Sequence, residues 1–209
     1  PFAPSERKGD PRVYTGDTTN LDAVDRWGNM FSATPSGGWF ASSPVIKGLG
    51  FPLGTRLQMF YLDPAHPNSL QPGKRPRTTL TPSLVMKDNE PFMVFGTPGG
   101  DQQDQWSLQF FLNCIDFGMN IQEATDAPTF HTAHFPSSFY PHESQPGSLV
   151  VEGRIPEKTQ ATLREKGHRV QVTGDWSNGR VLAIRFDAKS GVMSGAASAR
   201  METGYAMGW

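Results

Sequence analysis

A single cysteine, Cys114, occurs among the 209 residues. An internal disulfide framework and a zinc site built from several cysteines are therefore excluded within this sequence. No apolar run approaches the roughly 18 residues needed to cross a bilayer, and the polar first residues contain no apolar core of a signal peptide. An excess of basic charge is also missing, since 19 Lys and Arg stand against 20 Asp and Glu. This balance argues against a nucleic-acid partner, because phosphate-binding surfaces need a net basic patch.

Glycine and proline, by contrast, are abundant. They make up 22 plus 18, or 40, of the 209 residues, about 19% where roughly 12% is average. Hydrophobic residues at 36% argue against a disordered chain. The length suits one domain or two small ones. We therefore expect many short strands connected by substantial loops.

The hydrophobic pattern predicts an α+β fold. The predicted strands are residues 18–25, 30–34, 83–87, 91–95, 148–152, 169–173, 181–186 and 192–196, and the predicted helices are 103–117 and 156–166. The first helix is apolar nearly all round, which indicates burial on more than one side. Residues 1–17 are typical of a linker, and residues 35–75 and 127–146 of long loops. The order of elements favours antiparallel pairing over an array of βαβ units.

The segment 96–100 (GTPGG) directly precedes the long predicted helix. A Gly-Gly pair allows close approach of a ligand to the backbone, and a helix N-terminus supplies unpaired N–H groups with a partial positive charge. Two such N–H groups meet the requirement of an oxyanion hole. The same pattern also fits a plain strand-to-helix turn that needs positive φ. It is not a P-loop, because no Gly-Lys-Ser/Thr follows.

Thr18 stands where the linker meets the first predicted strand. Threonine at the start of a strand is usually a β-former. The alternative is an N-terminal nucleophile, whose hydroxyl attacks a carbonyl while its own α-amine takes the proton. That chemistry requires cleavage of the Asp17–Thr18 bond, because an amide nitrogen is not a base.

Two further clusters are weaker. His131 and His134, with His142 nearby, have the types of side chain that bind metals, but no acidic ligand lies at fixed spacing. Loop or partner contacts explain them better, and we expect no metal or cofactor. The cations of residues 74–77 (KRPR) suit a phosphate or carboxylate, although a solvated turn is the commoner role.

Taken in order, these segments resemble the small subunit of the gamma-glutamyltransferase (gamma-glutamyltranspeptidase) family of N-terminal nucleophile hydrolases. The segments that carry the resemblance are residues 18–29, 74–82, 96–100, 113–131 and 191–200, with the terminal Trp209. The resemblance implies a four-layer αββα sandwich, completed by a large-subunit chain cut from the same precursor. It makes residues 18–209 the catalytic domain and leaves 1–17 as the linker before the cleavage point.

The resemblance also implies catalytic roles. Thr18 matches the nucleophile, and cleavage falls between Asp17 and Thr18. Gly99 and Gly100 match the pair of oxyanion donors. Ser36 falls where the family has a threonine beside the nucleophile.

The implied substrate-binding positions depart from the family pattern. Thr78 and Thr79 replace a Ser-Ser pair that binds the donor α-carboxylate, so a hydroxyl remains at both. A glutamine position becomes Arg56, and the position of the aspartate that pairs with the donor α-ammonium becomes Met59. A further asparagine position becomes Gly38. A buried ammonium without a carboxylate is disfavoured, whereas Arg56 favours an extra carboxylate or a carbonyl-rich acyl group.

The sequence therefore predicts an amide hydrolase or acyltransferase that acts through a Thr18 acyl-enzyme on a small-molecule acyl amide. The departures at Arg56, Met59 and Gly38 favour an acyl group without the glutamyl α-amine. The alternative is a maturation-defective homologue that serves as a binding or structural subunit. A histidine-rich metal protein is a third hypothesis. The resemblance slightly favours a periplasmic or secreted location and leaves a cytoplasmic one open. The absence of a long apolar run predicts no membrane span.

Overall fold

A computed structural model describes residues 18–37, 45–200 and 204–208. The predicted linker 1–17, including Asp17, and the position Gly38 lie outside these residues. The described strands are β1 (Leu21–Val24), β2 (Met30–Ala33), β3 (Ser83–Lys87), β4 (Glu90–Gly96), β5 (Phe130–Thr132), β6 (Ser148–Glu152), β7 (Arg169–Thr173), β8 (Leu182–Phe186) and β9 (Met193–Ala197), and the described α-helices are α1 (Gln103–Ile115), α2 (Ile121–Asp126) and α3 (Glu157–Glu165). None of the described helices is long and apolar enough to cross a membrane.

The central sheet is antiparallel and has the order β3-β4-β8-β9. Asp88 and Asn89 join β3 to β4, and both have positive φ, 53° and 65°. Positive φ at both central residues is the conformation of a tight two-residue hairpin turn. The strands predicted at residues 83–87 and 91–95 are therefore confirmed, and they pair as a hairpin.

The two faces of this sheet are covered by different elements. Alternate residues of a strand face opposite sides, and Met93 and Phe95 of β4 pack with Phe110 of α1 in the main hydrophobic core. The β1–β2 hairpin lies against the other face. There a Cβ on Gly28 would approach Phe186 to 2.9 Å. Helices, sheet and hairpin thus form successive layers, and the predicted α+β class is confirmed.

The third sheet has the order β5-β6-β7 and corrects one prediction. β6 and β7 are parallel, and α3 lies between them in the chain. This is a βαβ unit, because parallel neighbours need a crossover connection and the helix supplies it. The antiparallel pairing that the sequence favours therefore does not hold for β6 and β7, although a single βαβ unit is not an array of such units.

A short α-helix and a short strand were not predicted. The six-residue helix α2 is capped by Asn120, whose side chain accepts hydrogen bonds from the N–H groups of Gln122 and Glu123, while Glu123 accepts from Asn120 N. This capping box was visible in the sequence as Asn-x-x-Glu. The three-residue strand β5 lies inside the predicted loop 127–146. The other predicted elements are confirmed with shifts of up to three residues at their ends.

Helix α1 has one buried and one exposed apolar side. Trp106 and Phe110 are buried, whereas the exposed fractions of Leu108 and Phe117, just beyond the helix, are 56% and 71%. The expectation of burial on more than one side is therefore wrong for this chain by itself. The exposed side of α1 therefore presents an apolar surface, which includes Leu108 and Phe117, to the outside of this chain.

A buried ion pair connects β6 to the C-terminal segment. Glu152 is 0% exposed and Arg200 is 2% exposed. Arg200 Nε donates to Glu152 Oε1 at 2.7 Å, and Nη2 donates to Oε2 at 2.9 Å. The same guanidinium donates to the carbonyl oxygens of Thr125 and Ala127, at 2.7 and 2.8 Å. The charge and the hydrogen-bonding groups of Arg200 are therefore satisfied within the protein.

Glu152 also collects backbone donors. The N–H groups of Thr129, Ser177 and Asn178 donate to its two oxygens at 3.0 to 3.1 Å, and Arg154 Nη2 donates at 2.9 Å. Burial alone would raise the pKa of Glu152, but Arg200 and the backbone donors together hold the pKa below its ordinary value. The carboxylate therefore stays ionised and fixes the 177–178 segment.

Replacing Arg200 with Met should lower the free energy of unfolding by about 3–5 kcal/mol, because a buried carboxylate would lose its charge partner. Urea unfolding of the purified protein measures the change. The double variant Glu152→Gln/Arg200→Met should lose less than the sum of the single variants. Arg185→Met, at an exposed position of β8, is the control and should stay within about 0.5 kcal/mol. Additive single effects would contradict the coupling.

Candidate active site

Thr18 lies directly before β1, opposite the segment that follows β2. Thr19 N donates to Pro35 O at 3.1 Å, which extends the hairpin pairing beyond both strands. This pairing brings the hydroxyls of Thr18 and Ser36 to 2.6 Å, a hydrogen-bond distance. Thr18 is half-buried and Thr19 is exposed. The two residues that the sequence predicts as nucleophile and neighbour are thus in direct contact.

Asn20 joins this hairpin to the end of β4. Its Oδ1 accepts a hydrogen bond from the Thr34 hydroxyl at 2.8 Å. Gly96 lies so close that a Cβ there would be 2.2 Å from Asn20 Oδ1. The absence of a side chain at Gly96 therefore allows the strand headed by Thr18 to pack against the start of the 96–100 turn.

Asp22 lies on the same strand and contacts the same asparagine. Asn20 Nδ2 donates to Asp22 Oδ2 at 2.8 Å. Burial raises the pKa of Asp22 to about 6, and the nearby Ser32 hydroxyl and Asn20 amide lower it by less. A carboxyl that titrates near neutral pH therefore lies two residues along the strand from Asn20.

The turn 96–100 needs glycine at its last two positions. Gly99 has φ of 145° and Gly100 has φ of 60°, conformations that other residues rarely adopt. A Cβ on Gly99 would lie 2.2 Å from Trp106 Cζ3, and a Cβ on Gly179 would lie 3.2 Å from Trp106 Cγ. The indole of Trp106 is therefore held between two glycines, and it supports the turn from behind.

Gln103, the first residue of α1, contacts the same turn and is 0% exposed. One end of its side-chain amide is 2.9 Å from Thr97 O, and the other is 3.1 Å from Gly100 N. Both contacts are hydrogen bonds when the amide nitrogen faces Thr97 and the oxygen faces Gly100. In the described part of the chain the Gly99 N–H has no acceptor. Of the two predicted oxyanion donors, the Gly100 N–H thus donates to Gln103, and the Gly99 N–H has no acceptor among the described residues.

A loop over residues 137–142 connects the turn with the Arg56 region. Asp101 Oδ2 accepts a hydrogen bond from Ser138 N at 2.9 Å. Tyr140 N donates to Gln58 O at 2.9 Å. Phe139, between these two anchored positions, is therefore fixed at the site.

Phe139 lies between the turn and the guanidinium of Arg56. A Cβ on Gly100 would be 3.5 Å from Phe139 Cε2, and Arg56 Cζ is 6.0 Å from the centre of the ring. A Cβ on Gly37, the residue after Ser36, would be 3.5 Å from Arg56 Nε. Arg56 Nη2 is buried without a hydrogen-bond partner among the described residues. Arg56 therefore adjoins the nucleophile segment directly and reaches the turn only through Phe139.

The other predicted substrate-binding residues differ in accessibility. Met59 ends the 3₁₀ helix Arg56–Met59 and is 0% exposed, so it offers a substrate neither charge nor accessible surface. Thr78 is exposed, and its hydroxyl accepts from Leu80 N at 3.1 Å. Thr79 Oγ1 is buried and has no hydrogen-bond partner within the described ranges. An unsatisfied buried hydroxyl is costly, as is the unsatisfied nitrogen of Arg56.

The three histidines singled out by the sequence have separate environments. His131 packs edge-on against Trp106 at 5.3 Å, and burial lowers its pKa. His134 Nδ1 accepts a hydrogen bond from Gly147 N at 2.9 Å. The ring nitrogens of His142 lie 2.8 Å from Ser137 O and 3.1 Å from Phe60 O. Across residues 18–37, 45–200 and 204–208, no group of three or more His, Cys, Asp or Glu could hold a metal ion.

Sequence reasoning missed three contributors to this site: Asn20, Gln103 and Phe139. Asn20 had no interpretable pattern, because its role depends on contact with Gly96. Gln103 is the first residue of the predicted helix 103–117 and comes shortly after the Gly-Gly pair. A polar residue in a helix predicted to be buried was the signal that could have identified it. Phe139 lies in a loop whose path no local pattern specifies.

With this geometry established, comparison with known proteins decides the family. The family model described as Gamma-glutamyltranspeptidase matches residues 4–208. The chain belongs to the gamma-glutamyltranspeptidase family. The resemblance stated from sequence segments is thereby confirmed.

Individual relatives place the chain within larger proteins. The "Glutathione hydrolase-like YwrD proenzyme" of Bacillus subtilis (strain 168) is 33% identical over 188 residues, which are 88% of this chain and 35% of that protein. Proteins named acylases are also related, at 31% identity. The chain spans about a third of the curated relatives that it matches.

Solved structures share its fold. The structure of LmbA2991HD is 53% identical, with a TM-score of 0.86, and the match covers 99% of this chain and 36% of that one. A gamma-glutamyltranspeptidase from Pseudomonas nitroreducens complexed with L-DON is 27% identical, with a TM-score of 0.72, and the match covers 92% of this chain and 98% of that one. The N-terminal nucleophile hydrolase fold implied by the resemblance is confirmed, and this chain corresponds to one whole chain of the second structure.

Replacing Gly99 with Ala should destabilise the protein by about 3 kcal/mol or more, because the new methyl group overlaps an indole that Gly179 prevents from retreating. Urea unfolding measures the loss. Gly73→Ala is the matched control, since Gly73 also has positive φ, 74°, but its Cβ would meet open space. The control should lose only about 1–2 kcal/mol. Equal losses would show that backbone conformation alone, and not Trp106, restricts Gly99.

Proposed function

We propose that residues 18–209 are the catalytic small-subunit domain of an amide hydrolase or acyltransferase that acts through Thr18, and that residues 1–17 are the linker before the cleavage point. The observation that supports this most is the 2.6 Å contact between the Thr18 and Ser36 hydroxyls, on a strand that Asn20 packs against the Gly-Gly turn. Relatives named hydrolases and acylases support amide chemistry.

The mechanism begins with cleavage of the Asp17–Thr18 peptide, which frees the α-amine of Thr18. This amine, with an ordinary pKa near 8, takes the hydroxyl proton as Thr18 Oγ1 attacks the substrate carbonyl. Ser36 keeps the hydroxyl oriented. The N–H groups of Gly99 and Gly100 stabilise the oxyanion. As the tetrahedral intermediate collapses, the α-ammonium of Thr18 gives its proton to the leaving nitrogen, the C–N bond breaks and an acyl-enzyme remains. Water or an acceptor amine then attacks the ester carbon, loses a proton to the α-amine and releases the acyl group, and Thr18 Oγ1 regains a proton.

The substrate proposed is an acyl amide that lacks the α-ammonium of glutamate and carries an additional acidic or carbonyl group. Met59 provides no carboxylate for an ammonium, and the cation of Arg56 repels one. Arg56 Nη2 and the Thr79 hydroxyl, which have no hydrogen-bond partner among the described residues, supply donors for a carboxylate. Thr78 adds a second hydroxyl. Phe139 gives the same region an aromatic wall.

The partner proposed is the large subunit of the same precursor. The relatives are proenzymes about three times longer than the matched segment. The exposed apolar side of α1, with Leu108, Ile115 and the adjoining Phe117, is a surface that a companion chain would cover. No nucleic acid is part of the proposal.

Thr18→Ala should abolish both cleavage at Asp17–Thr18 and turnover of acyl amides, because Oγ1 of Thr18 is the proposed attacking atom. Thr18→Ser should retain part of both. Thr19→Ala is the control and should be mild, because Thr19 is exposed and adjacent strand residues face opposite sides. Intact-mass analysis measures cleavage, and amide hydrolysis measures turnover.

Equal losses from the Thr18 and Thr19 variants would contradict the assignment of the nucleophile. An intact, inactive wild-type chain would favour the alternative, a maturation-defective homologue that serves as a binding or structural subunit. After cleavage of the precursor, the large subunit and the chain of residues 18–209 should elute together from gel filtration. A monomeric 18–209 chain that melts cooperatively would contradict the proposed large-subunit partner.

The wild-type protein should hydrolyse a glutaryl amide with at least tenfold higher kcat/KM than the matching gamma-glutamyl amide, because the glutaryl compound lacks the ammonium that Arg56 repels. Arg56→Gln should lower kcat/KM for the glutaryl amide by about 10–100-fold, the loss of one hydrogen bond to a charged group. Arg164→Gln, on α3, is the control and should change neither value. A tenfold preference for the gamma-glutamyl amide would contradict this substrate proposal and would support the ordinary gamma-glutamyl specificity of the family.

A further inference from the structure

The side chain of Gln103 spans the turn that carries the two proposed oxyanion donors. Its amide contacts Thr97 O at 2.9 Å and Gly100 N at 3.1 Å. Gln103 is 0% exposed, so water does not compete for either bond. A buried, neutral amide that donates at one end and accepts at the other fixes the distance between the first and last parts of the turn.

Helix α1 uses the same device at two other positions, but against a different element. Gln105 bonds both backbone groups of Thr132, at 2.8 and 3.0 Å. Gln109 bonds both backbone groups of Phe130, at 2.8 and 3.1 Å. These two amides attach α1 to β5, whereas that of Gln103 reaches back to the turn. Gln109 is therefore a matched control, because the same substitution there removes an equivalent pair of hydrogen bonds but does not touch the turn.

We propose that Gln103 is a positioning residue for the oxyanion hole of this chain. Its amide oxygen holds the N–H of Gly100 in place before the substrate arrives, and its amide nitrogen holds the Thr97 carbonyl. As negative charge develops on the substrate oxygen, the Gly100 N–H is shared between that oxygen and Gln103 in a three-centre bond. The Gly99 N–H, which has no acceptor in the described residues, donates without competition.

This inference rests on the proposed function, because it assigns Gln103 to the same reaction. It predicts an effect on kcat with little change in KM, since the turn acts on charge that appears only in the transition state. A residue with a merely structural role would instead lower stability and leave the pH profile unchanged.

Gln103→Glu tests the proposal through pH. A protonated carboxyl keeps the amide's pattern, with an O–H donor for Thr97 O and a carbonyl acceptor for Gly100 N. Ionisation removes the donor and sets a negative charge against the Thr97 carbonyl. Burial raises the pKa of an introduced carboxyl. The ratio of variant to wild-type kcat, measured between pH 5 and 9 on one amide, should therefore fall at least tenfold as pH rises.

Gln109→Glu should show a flat ratio over the same range. A flat ratio for Gln103→Glu, or a change confined to KM, would overturn the proposal. Activity of Thr18→Ala would instead overturn the proposed function, so the two failures are distinguishable.

A second measurement does not depend on turnover or maturation. Amide hydrogen exchange of the peptide that covers residues 97–102 should be at least tenfold faster in Gln103→Leu than in wild type, because the Gly100 N–H loses its acceptor. In Gln109→Leu the increase should appear at residues 130–132 and not at the turn. Unchanged exchange at residues 97–102 in a folded Gln103→Leu protein would overturn the inference.

Discussion

A single buried carboxylate, that of Glu152, constrains the part of the molecule behind the Gly-Gly turn. Its charge is balanced by Arg200 and by the N–H groups of Ser177 and Asn178. The segment fixed in this way continues to Gly179, against which Trp106 packs, and to Arg180, whose N–H donates to Thr97 Oγ1 at 3.0 Å. The position of the turn therefore depends on an ion pair formed between β6 and the C-terminal segment.

The candidate site forms where two separately stabilised parts meet. One part is the β1–β2 hairpin, which brings Thr18 to Ser36 through backbone pairing. The other is the turn at the start of α1. They meet where Asn20 lies on Gly96, and again near Arg56 and Phe139. At the first contact Gly96 has no side chain, so Asn20 packs directly against the backbone of β4. Such a contact fixes the relative position of the two parts more tightly than a contact between long side chains.

Local hydrophobic patterns with periods of two or 3.6 residues were sufficient to predict most of the strands and the long helix. Thr18 was identified by the resemblance to the family, and the 96–100 turn by its Gly-Gly pair before a helix. The catalytic roles of both stay predictions. The parallel pairing of β6 with β7 was not predictable in this way, since it depends on where α3 returns the chain. The three-residue strand β5 carries too little pattern to distinguish it from a loop. Phe139 contacts segments that are distant in the chain. Gln103 contacts residues only three and six positions before it, but these contacts depend on how the turn folds back over the start of α1. Neither environment could be read from the sequence.

The indole of Trp106 links two glycines that are far apart in the chain. Because Gly99 and Gly179 each leave room for the same ring, a larger residue at either position is compatible with the fold only if the ring becomes smaller. The three positions are therefore coupled through one ring, and a change at any one of them alters the space available to the other two.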